Sequence, residues 1–329
     1  MKYFLTGATG FIGKELAKKL LDRGDTIHAL VRSPEKGKEI EHKNLHLFPG
    51  DVTNPESIEI AIQGCDFVFH LAGYAKPWSK DKSLPEKINI DGTRNVLEAA
   101  MRYKIKRVVF TSTAGVLKPS EKNEIVDENS PNPDSYLTDY ERTKREAELL
   151  CGQYVNKGLD IVLVNPSRVY GPGELSKSNS VTTIIKKYSE GKWRVIPGSG
   201  AEIGNYVFIS DIVNGHLIAM EKGQPGERYI LGGTNASFLH FFEILSQQTG
   251  RKLRLFHLPL WVMTAASKTM LFIAENMGGE PLITPQWVKR YNQDRILSSE
   301  KAVNQLGYSI TPLEKGIGKT LDWLQKGKA

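Results

Sequence analysis

The chain has 329 residues, with Lys+Arg 44 against Asp+Glu 37, a formal net charge of +7 and 40% hydrophobic residues. That length allows one large domain or two, and 25% charged residues excludes disordered and fibrous classes. Cys65 and Cys151 are the two cysteines, too few for a disulfide framework or a four-thiolate zinc site. The positive balance comes without a helix-turn-helix, RNP or zinc-finger pattern, so no nucleic-acid partner is expected.

The first half alternates apolar runs with helical spacing. Residues 2–5 read as a strand, and residues 13–23 carry Leu16, Ala17, Leu20 and Leu21 at helical period. Strands follow at Thr26–Val31 and 46–48, a helix at 57–62, and a strand at 66–70. A long helix over 89–103, a strand at Arg107–Thr111, a helix over 140–156 and a strand at 160–165 complete the series. Apolar strands each followed by a helix predict an α/β fold, a doubly wound parallel sheet buried on both faces, with ligands at the strands' carboxyl ends. After Pro166 the alternation fails. Gly171-Pro172-Gly173 and Ser176-Lys177-Ser178-Asn179-Ser180 read as loop. We therefore expect a nucleotide-binding domain over 1–170 and a smaller substrate lobe over 171–329. Residues 205–230, with strand-then-helix character, are expected to return to the main sheet. The uncharged run within 255–277 is 13 residues, short of a membrane span, so no stable membrane insertion is expected. Core packing is the favoured role for that segment, with lining or covering a pocket as the alternative. The N-terminus opens on a strand with no signal peptide, which predicts a cytoplasmic protein.

Three features carry chemistry. Thr6-Gly7-Ala8-Thr9-Gly10-Phe11-Ile12-Gly13 joins the first strand to the first helix. Gly7 permits the turn, Gly10 lets backbone approach a pyrophosphate, and Gly13 lets the helix pack on the strand, the phosphate resting on the helix N-terminus. The second strand ends in Val31-Arg32-Ser33, with Lys36 and Lys38 behind it and no carboxylate before Glu35. A carboxylate there would grip a ribose 2′-hydroxyl, whereas Arg32 suits a 2′-phosphate, so NADP is favoured over NAD. Arg32 as a plain solvated strand-end charge is the alternative. In Asp139-Tyr140-Glu141-Arg142-Thr143-Lys144, Tyr140 and Lys144 share one helix face at i and i+4. An ammonium near a phenol favours the phenolate, which suits proton exchange with an alcohol or carbonyl oxygen. A solvated helix face would give the same spacing. Thr111-Ser112-Thr113-Ala114-Gly115 ends the fifth strand with hydroxyls that either steady a developing alkoxide or cap a loop.

With Gly50-Asp51-Val52, His70-Leu71-Ala72-Gly73 and Val169-Tyr170-Gly171-Pro172-Gly173 added in this order, the chain resembles an extended short-chain dehydrogenase/reductase of the NAD(P)-dependent epimerase/dehydratase superfamily. The resemblance implies that Asp51 and Val52 contact adenine and that Leu71, Ala72 and Gly73 line the cofactor cleft, with Thr9, Phe11 and Ile12 in the glycine turn. It makes Tyr140 the general acid/base and gives Lys144 the nicotinamide ribose and the lowering of the tyrosine pKa. Thr113 takes the substrate-orienting position, Pro166 and Val169 flank the nicotinamide, and Asn89 supports the site. It also implies a homodimer packed through the Asn89 and Tyr140 helices. Nucleotide-sugar epimerases and dehydratases resemble R-P-x-x-V-Y-G-P where this chain reads Asn165-Pro166-Ser167-Arg168-Val169-Tyr170-Gly171-Pro172. They also carry an Arg-Asp pair where Gly204 and Asn205 stand, before Tyr206 and Asp211, with Arg194 or Lys192 as possible substitutes for that arginine. These departures move the reading towards dihydroflavonol-reductase-like and 3β-hydroxysteroid-dehydrogenase-like members. The expected activity is NADPH-dependent reduction of a ketone or aldehyde of a small apolar molecule, or the reverse alcohol oxidation, by Tyr/Lys-assisted hydride transfer. The alternatives are a nucleotide-sugar epimerase/dehydratase with bound NAD and a non-catalytic NADP sensor. The seven histidines are scattered without ligand spacing, so no metal is expected, and His70 is read as shaping the cleft. The five tryptophans are read as packing residues.

Overall fold

The computed structural model describes residues 1–37, 40–76, 78–121, 124–175 and 179–326. Its centre is a seven-stranded parallel sheet. Strands β1 (Lys2–Thr6), β2 (Thr26–Val31), β3 (Leu45–Pro49), β4 (Phe67–His70), β5 (Arg107–Thr111) and β6 (Ile161–Pro166) alternate with helices. After β7 (Arg168–Tyr170), β8 (Val195–Pro197) and β9 (Ile203–Phe208), β10 (Arg228–Leu231) rejoins the sheet, giving the order β10-β6-β5-β4-β1-β2-β3. The strands read as nearly continuous apolar runs because both faces are covered. Tyr3 and Leu5 enter one core while Phe4 enters the other; Val109 is separated from Val108 and Phe110 in the same way.

Past the main sheet, β9 pairs in parallel with β7 and antiparallel with β11 (Thr234–Ser237), and β8 pairs with β12 (Phe256–Leu258). The strand expected to rejoin the main sheet near residue 205 thus belongs to the small sheet. The Ile209–Lys222 helix after it packs on the main layer, and β10 supplies the seventh strand. Ser176, Lys177 and Ser178 of the expected loop lie outside the described residues, and Ser180 already opens a helix.

Two helical expectations are modified. The helix expected over 89–103 begins as a π turn at Lys87–Asp91 before the regular Gly92–Arg102 helix. The apolar segment over 255–277 is only marginally core: Leu255 packs against the main core, and Leu271 and Glu275 line a small pocket with Trp78 and Arg142. Its Leu260–Met277 helix buries only Met263, Ser267 and Ala274, one narrow i, i+4, i+11 stripe, against the Pro285–Tyr291 helix. Trp261, Phe272 and Met277 are 74%, 66% and 82% exposed. Among the described residues, no helix is long and apolar enough to cross a membrane.

Candidate active site

A cleft of about 310 Å³ opens at the carboxyl ends of the central strands. The glycine turn forms one wall. Gly7 has φ +76°, and a Cβ there would stand 2.8 Å from the backbone of Leu71 and Ala72. The Gly10 amide donates to the Gly7 carbonyl at 2.9 Å, and a Cβ on Gly13 would come within 2.1 Å of that carbonyl. The Phe11–Asp22 helix then starts with no side-chain cap and no acidic residue in its first turn. Its first N–H groups and the positive end of its dipole are therefore left for an anion, and the bare glycine backbone leaves room for one. The turn fits a dinucleotide pyrophosphate.

Thr138 opens the Asp139–Asn156 helix by accepting a hydrogen bond from the Glu141 amide at 3.2 Å. Tyr140 and Lys144 project from that helix into the same cleft as Thr113. Lys144 is buried, its Nζ donating to the Thr111 carbonyl at 2.5 Å and lying 4.3 Å from the centre of the Phe110 ring. Burial pulls its pKa down to about 8. Burial also raises the Tyr140 phenol above its ordinary value, opposed by a hydrogen bond from the Thr113 hydroxyl and by the charge of Arg290. Lys144, expected to lower that pKa, is not among the groups that move it; the nearby cation that does so is Arg290. Thr113 also accepts from the Gly115 amide at 3.1 Å. Asn165, which stands where relatives resemble an arginine, donates to the Thr113 carbonyl at 3.0 Å and to Glu148 at 2.7 Å. This departure from the pattern thus braces the strand end that presents Thr113.

Of the other expected site residues, Gly7, Gly10, Phe11, Ile12, Gly13, Leu71, Gly73, Pro166 and Val169 line the cleft. Thr9, Arg32, Asp51, Val52 and Ala72 do not. The exposed Arg32 follows β2, whose Leu30 pairs with Thr6 directly before the glycine turn. Lys38 and the side chain of Lys36 lie outside the described residues. Asp51 holds the backbone and hydroxyl of Thr53 at 2.9 and 2.8 Å, and Val52 packs beneath Gly92. Ala72 donates its amide to the Thr6 hydroxyl at 3.1 Å. Asn89, placed by the π turn, joins Tyr74 to Thr143: it accepts from the Tyr74 amide at 2.7 Å and donates to the Thr143 hydroxyl at 2.9 Å. His70 is fully buried between the hydroxyls of Thr6 and Thr93, at 2.7 and 3.0 Å, and burial lowers its pKa to about 3. It ties β4 to β1 and to the helix beyond.

Trp287, Arg290 and Tyr291 also line the cleft and were missed in the sequence. Thr284-Pro285 is a helix-start signal, with Thr284 capping the Trp287 amide. No sequence window, however, connects that short helix to Tyr140. Arg290 reaches the buried Glu141 at 2.9 Å.

The family model described as NAD dependent epimerase/dehydratase family matches residues 3–232. A Synechocystis protein provisionally named a dihydroflavonol 4-reductase is 29% identical over 98% of this chain and 94% of its own. Cinnamoyl-CoA reductase 2 of Arabidopsis thaliana is 31% identical over 74% of this chain and 76% of its own. The crystal structure of UDP-glucose 4-epimerase from Thermotoga maritima superposes with a TM-score of 0.83 over 100% of both chains, at 23% identity, a likeness of fold. The chain belongs to the NAD dependent epimerase/dehydratase family, the extended short-chain dehydrogenase/reductases, and is an NAD(P)-dependent enzyme of oxidoreductase type.

Proposed function

We propose that the protein is an NADPH-dependent reductase of a ketone or aldehyde on a flat, largely apolar molecule, running in reverse as an alcohol dehydrogenase. The observation that carries this reading is the convergence of Thr113, Tyr140 and Lys144 on the cleft that also holds the glycine turn. Bound NADPH supplies the reducing equivalent. The chain's own residues do the rest: Tyr140, kept protonated by burial, donates its proton to the carbonyl oxygen, and Thr113 steadies that oxygen. Lys144 and the turn of Gly7, Gly10 and Gly13 hold the cofactor, with Leu71, Gly73, Pro166 and Val169 closing around it. Asp51 and Val52 serve the adenine end. Tyr206, Phe238, Phe241, Trp287 and Tyr291 give the substrate an aromatic wall. Residues 1–170, with the returning part of 205–230, form the cofactor-binding half in this reading, and the rest of 171–329 forms the substrate lobe. We further propose a cytoplasmic homodimer.

Tyr140→Phe is expected to bind NADPH as the wild type does while losing at least a hundredfold in turnover, the usual worth of a positioned acid. Fluorescence titration and NADPH oxidation with a panel of carbonyl substrates measure the two; unchanged turnover overturns the assignment. NAD that co-purifies without net coenzyme consumption would favour the epimerase reading instead.

The NADP preference rests on Arg32, which makes no ion pair among the described residues and follows a strand end free of carboxylates. One charge-assisted hydrogen bond is worth about 1.5–3 kcal/mol. Arg32→Ala should therefore weaken NADPH roughly 10- to 150-fold and leave NADH binding nearly unchanged. Equal losses for the two coenzymes refute the preference.

A further inference from the structure

The charges lining the cleft are one-sided. Lys144, Arg168 and Arg290 line it, and among the described residues no carboxylate does. Lys144 is engaged at Thr111. Arg290 faces Glu141, but Glu141 is only 1% exposed and stands between two guanidinium groups, Arg290 at 2.9 Å and Arg295 at 3.8 Å. One buried carboxylate thus answers two arginines. Arg168 makes no ion pair among the described residues; its hydrogen bond goes to the Tyr206 hydroxyl, at 3.4 Å. Burial lowers the pKa of Arg295, and Arg290 and Arg168 lower it further against the opposing charge of Glu141. The three guanidinium groups thus share one positive field that a single carboxylate only partly offsets. Ser112 and Ser167, on the same lining, each present a buried hydroxyl oxygen with no partner.

The position of Arg168 is set by a neighbouring glycine. Its guanidinium lies over the rings of Tyr206 and Phe238, at 5.6 and 5.5 Å, in space that a Cβ on Gly204 would enter to within 2.2 Å of Nη1. Gly204 is the position at which nucleotide-sugar enzymes resembling this chain carry their arginine. Here the cation comes instead from the adjacent strand and lies over two aromatic rings. A guanidinium with open donor edges suits a planar anion.

We propose that the substrate carries an anionic group, a carboxylate or phosphate ester on a flat apolar frame, bound by Arg168 and Arg290 against the aromatic wall. This deepens the carbonyl-reductase reading and rests on it for the nature of the substrate. Gly204 is then a specificity-determining residue, because its missing side chain admits the Arg168 guanidinium.

The test is calorimetric titration of the protein saturated with NADP⁺, using 4-acetylbenzoate, its methyl ester, 4-acetylphenyl phosphate and UDP. No turnover is needed, so a failed Tyr140→Phe experiment and a failed titration are separate results. At least one of the two aromatic anions should bind about 10- to 150-fold more tightly than the ester, the worth of one charge-assisted hydrogen bond. Which of the two binds better identifies the carboxylate or the phosphate as the source of charge. Arg168→Met should bring the ratio close to one. So should Gly204→Ala, which changes no charge and needs only a flexible guanidinium to move; an unchanged Tm shows that it folds. Arg290→Lys keeps a cation for Glu141 and should lower the ratio less. The proposal is overturned if the ester binds as well as both anions, if the preference survives Arg168→Met and Gly204→Ala, or if UDP binds more tightly than either aromatic anion. Loss of NADP⁺ affinity in Arg168→Met, matching the loss for the anions, would also overturn it by assigning that arginine to the cofactor.

Discussion

Lys144 shows what it costs to place a cation inside this cleft. Its ammonium is buried, satisfied by the Thr111 carbonyl and by the face of Phe110, and burial lowers its pKa from 10.5 to about 8. Between those two values the unfolded chain binds a proton that the folded protein does not, so stability rises with pH across that window. Below about pH 8 the buried charge exacts its full penalty, about 3 kcal/mol for a shift of this size. The stability of the wild type relative to Lys144→Met should be flat from pH 6 to 8 and climb from pH 8 to 10.5. Denaturant melts at pH 7, 8, 9 and 10 measure this. A difference independent of pH would mean that the folded environment leaves Lys144 as basic as the free chain does. Tyr140 is governed by the same physics with opposite charge type: burial favours its neutral phenol, the form that donates a proton.

The elements differ in how far the sequence disclosed them. Thr26–Val31 and Arg107–Thr111 were legible to the residue because a strand covered on both faces shows an unbroken apolar run. The glycine turn was legible because tight backbone approach excludes side chains at Gly7 and Gly13. The Tyr140 and Lys144 pairing was legible as a helical spacing, although the direction of the phenol's pKa was not. That direction depends on burial and on Arg290, contributed by a helix about 150 residues further along the chain. The π turn at Lys87–Asp91 was illegible for a different reason. Its composition is that of an ordinary helix, and its purpose shows only in the three-way contact of Asn89 with Tyr74 and Thr143. The exposed Leu260–Met277 helix reads as core, since apolar content alone does not tell a sequence which face finds a partner. Gly204 was visible as a departure from a family pattern, whereas Arg168 stood at a position that the pattern leaves open. Only the pairing of β7 with β9 shows that the missing side chain at Gly204 makes room for Arg168.

At the scale of the molecule, the +7 charge separates into a local part and a dispersed one. Lys144, Arg168 and Arg290 turn into the cleft, whereas most of the remaining cations lie on the surface. The surface also bears on assembly. The Gly92–Arg102 and Asp139–Asn156 helices lie side by side on one face of the sheet, where the proposed dimer would form a four-helix bundle. Their outer side is largely charged, with Arg94, Glu98 and Arg102 on one helix and an Arg142–Glu146 pair on the other. Apolar contact there is confined to Leu149, 53% exposed, and Met101, 37% exposed. Burying a leucine contributes roughly 1.5–3 kcal/mol, and a symmetric interface would count Leu149 twice. Leu149→Glu should therefore leave the monomer's Tm within about 1 °C, since the site is exposed, and raise the dimer dissociation constant at least a hundredfold. Light scattering across a dilution series measures the second effect. A dimer that survives this substitution intact would place the interface on another surface and leave these two helices facing solvent.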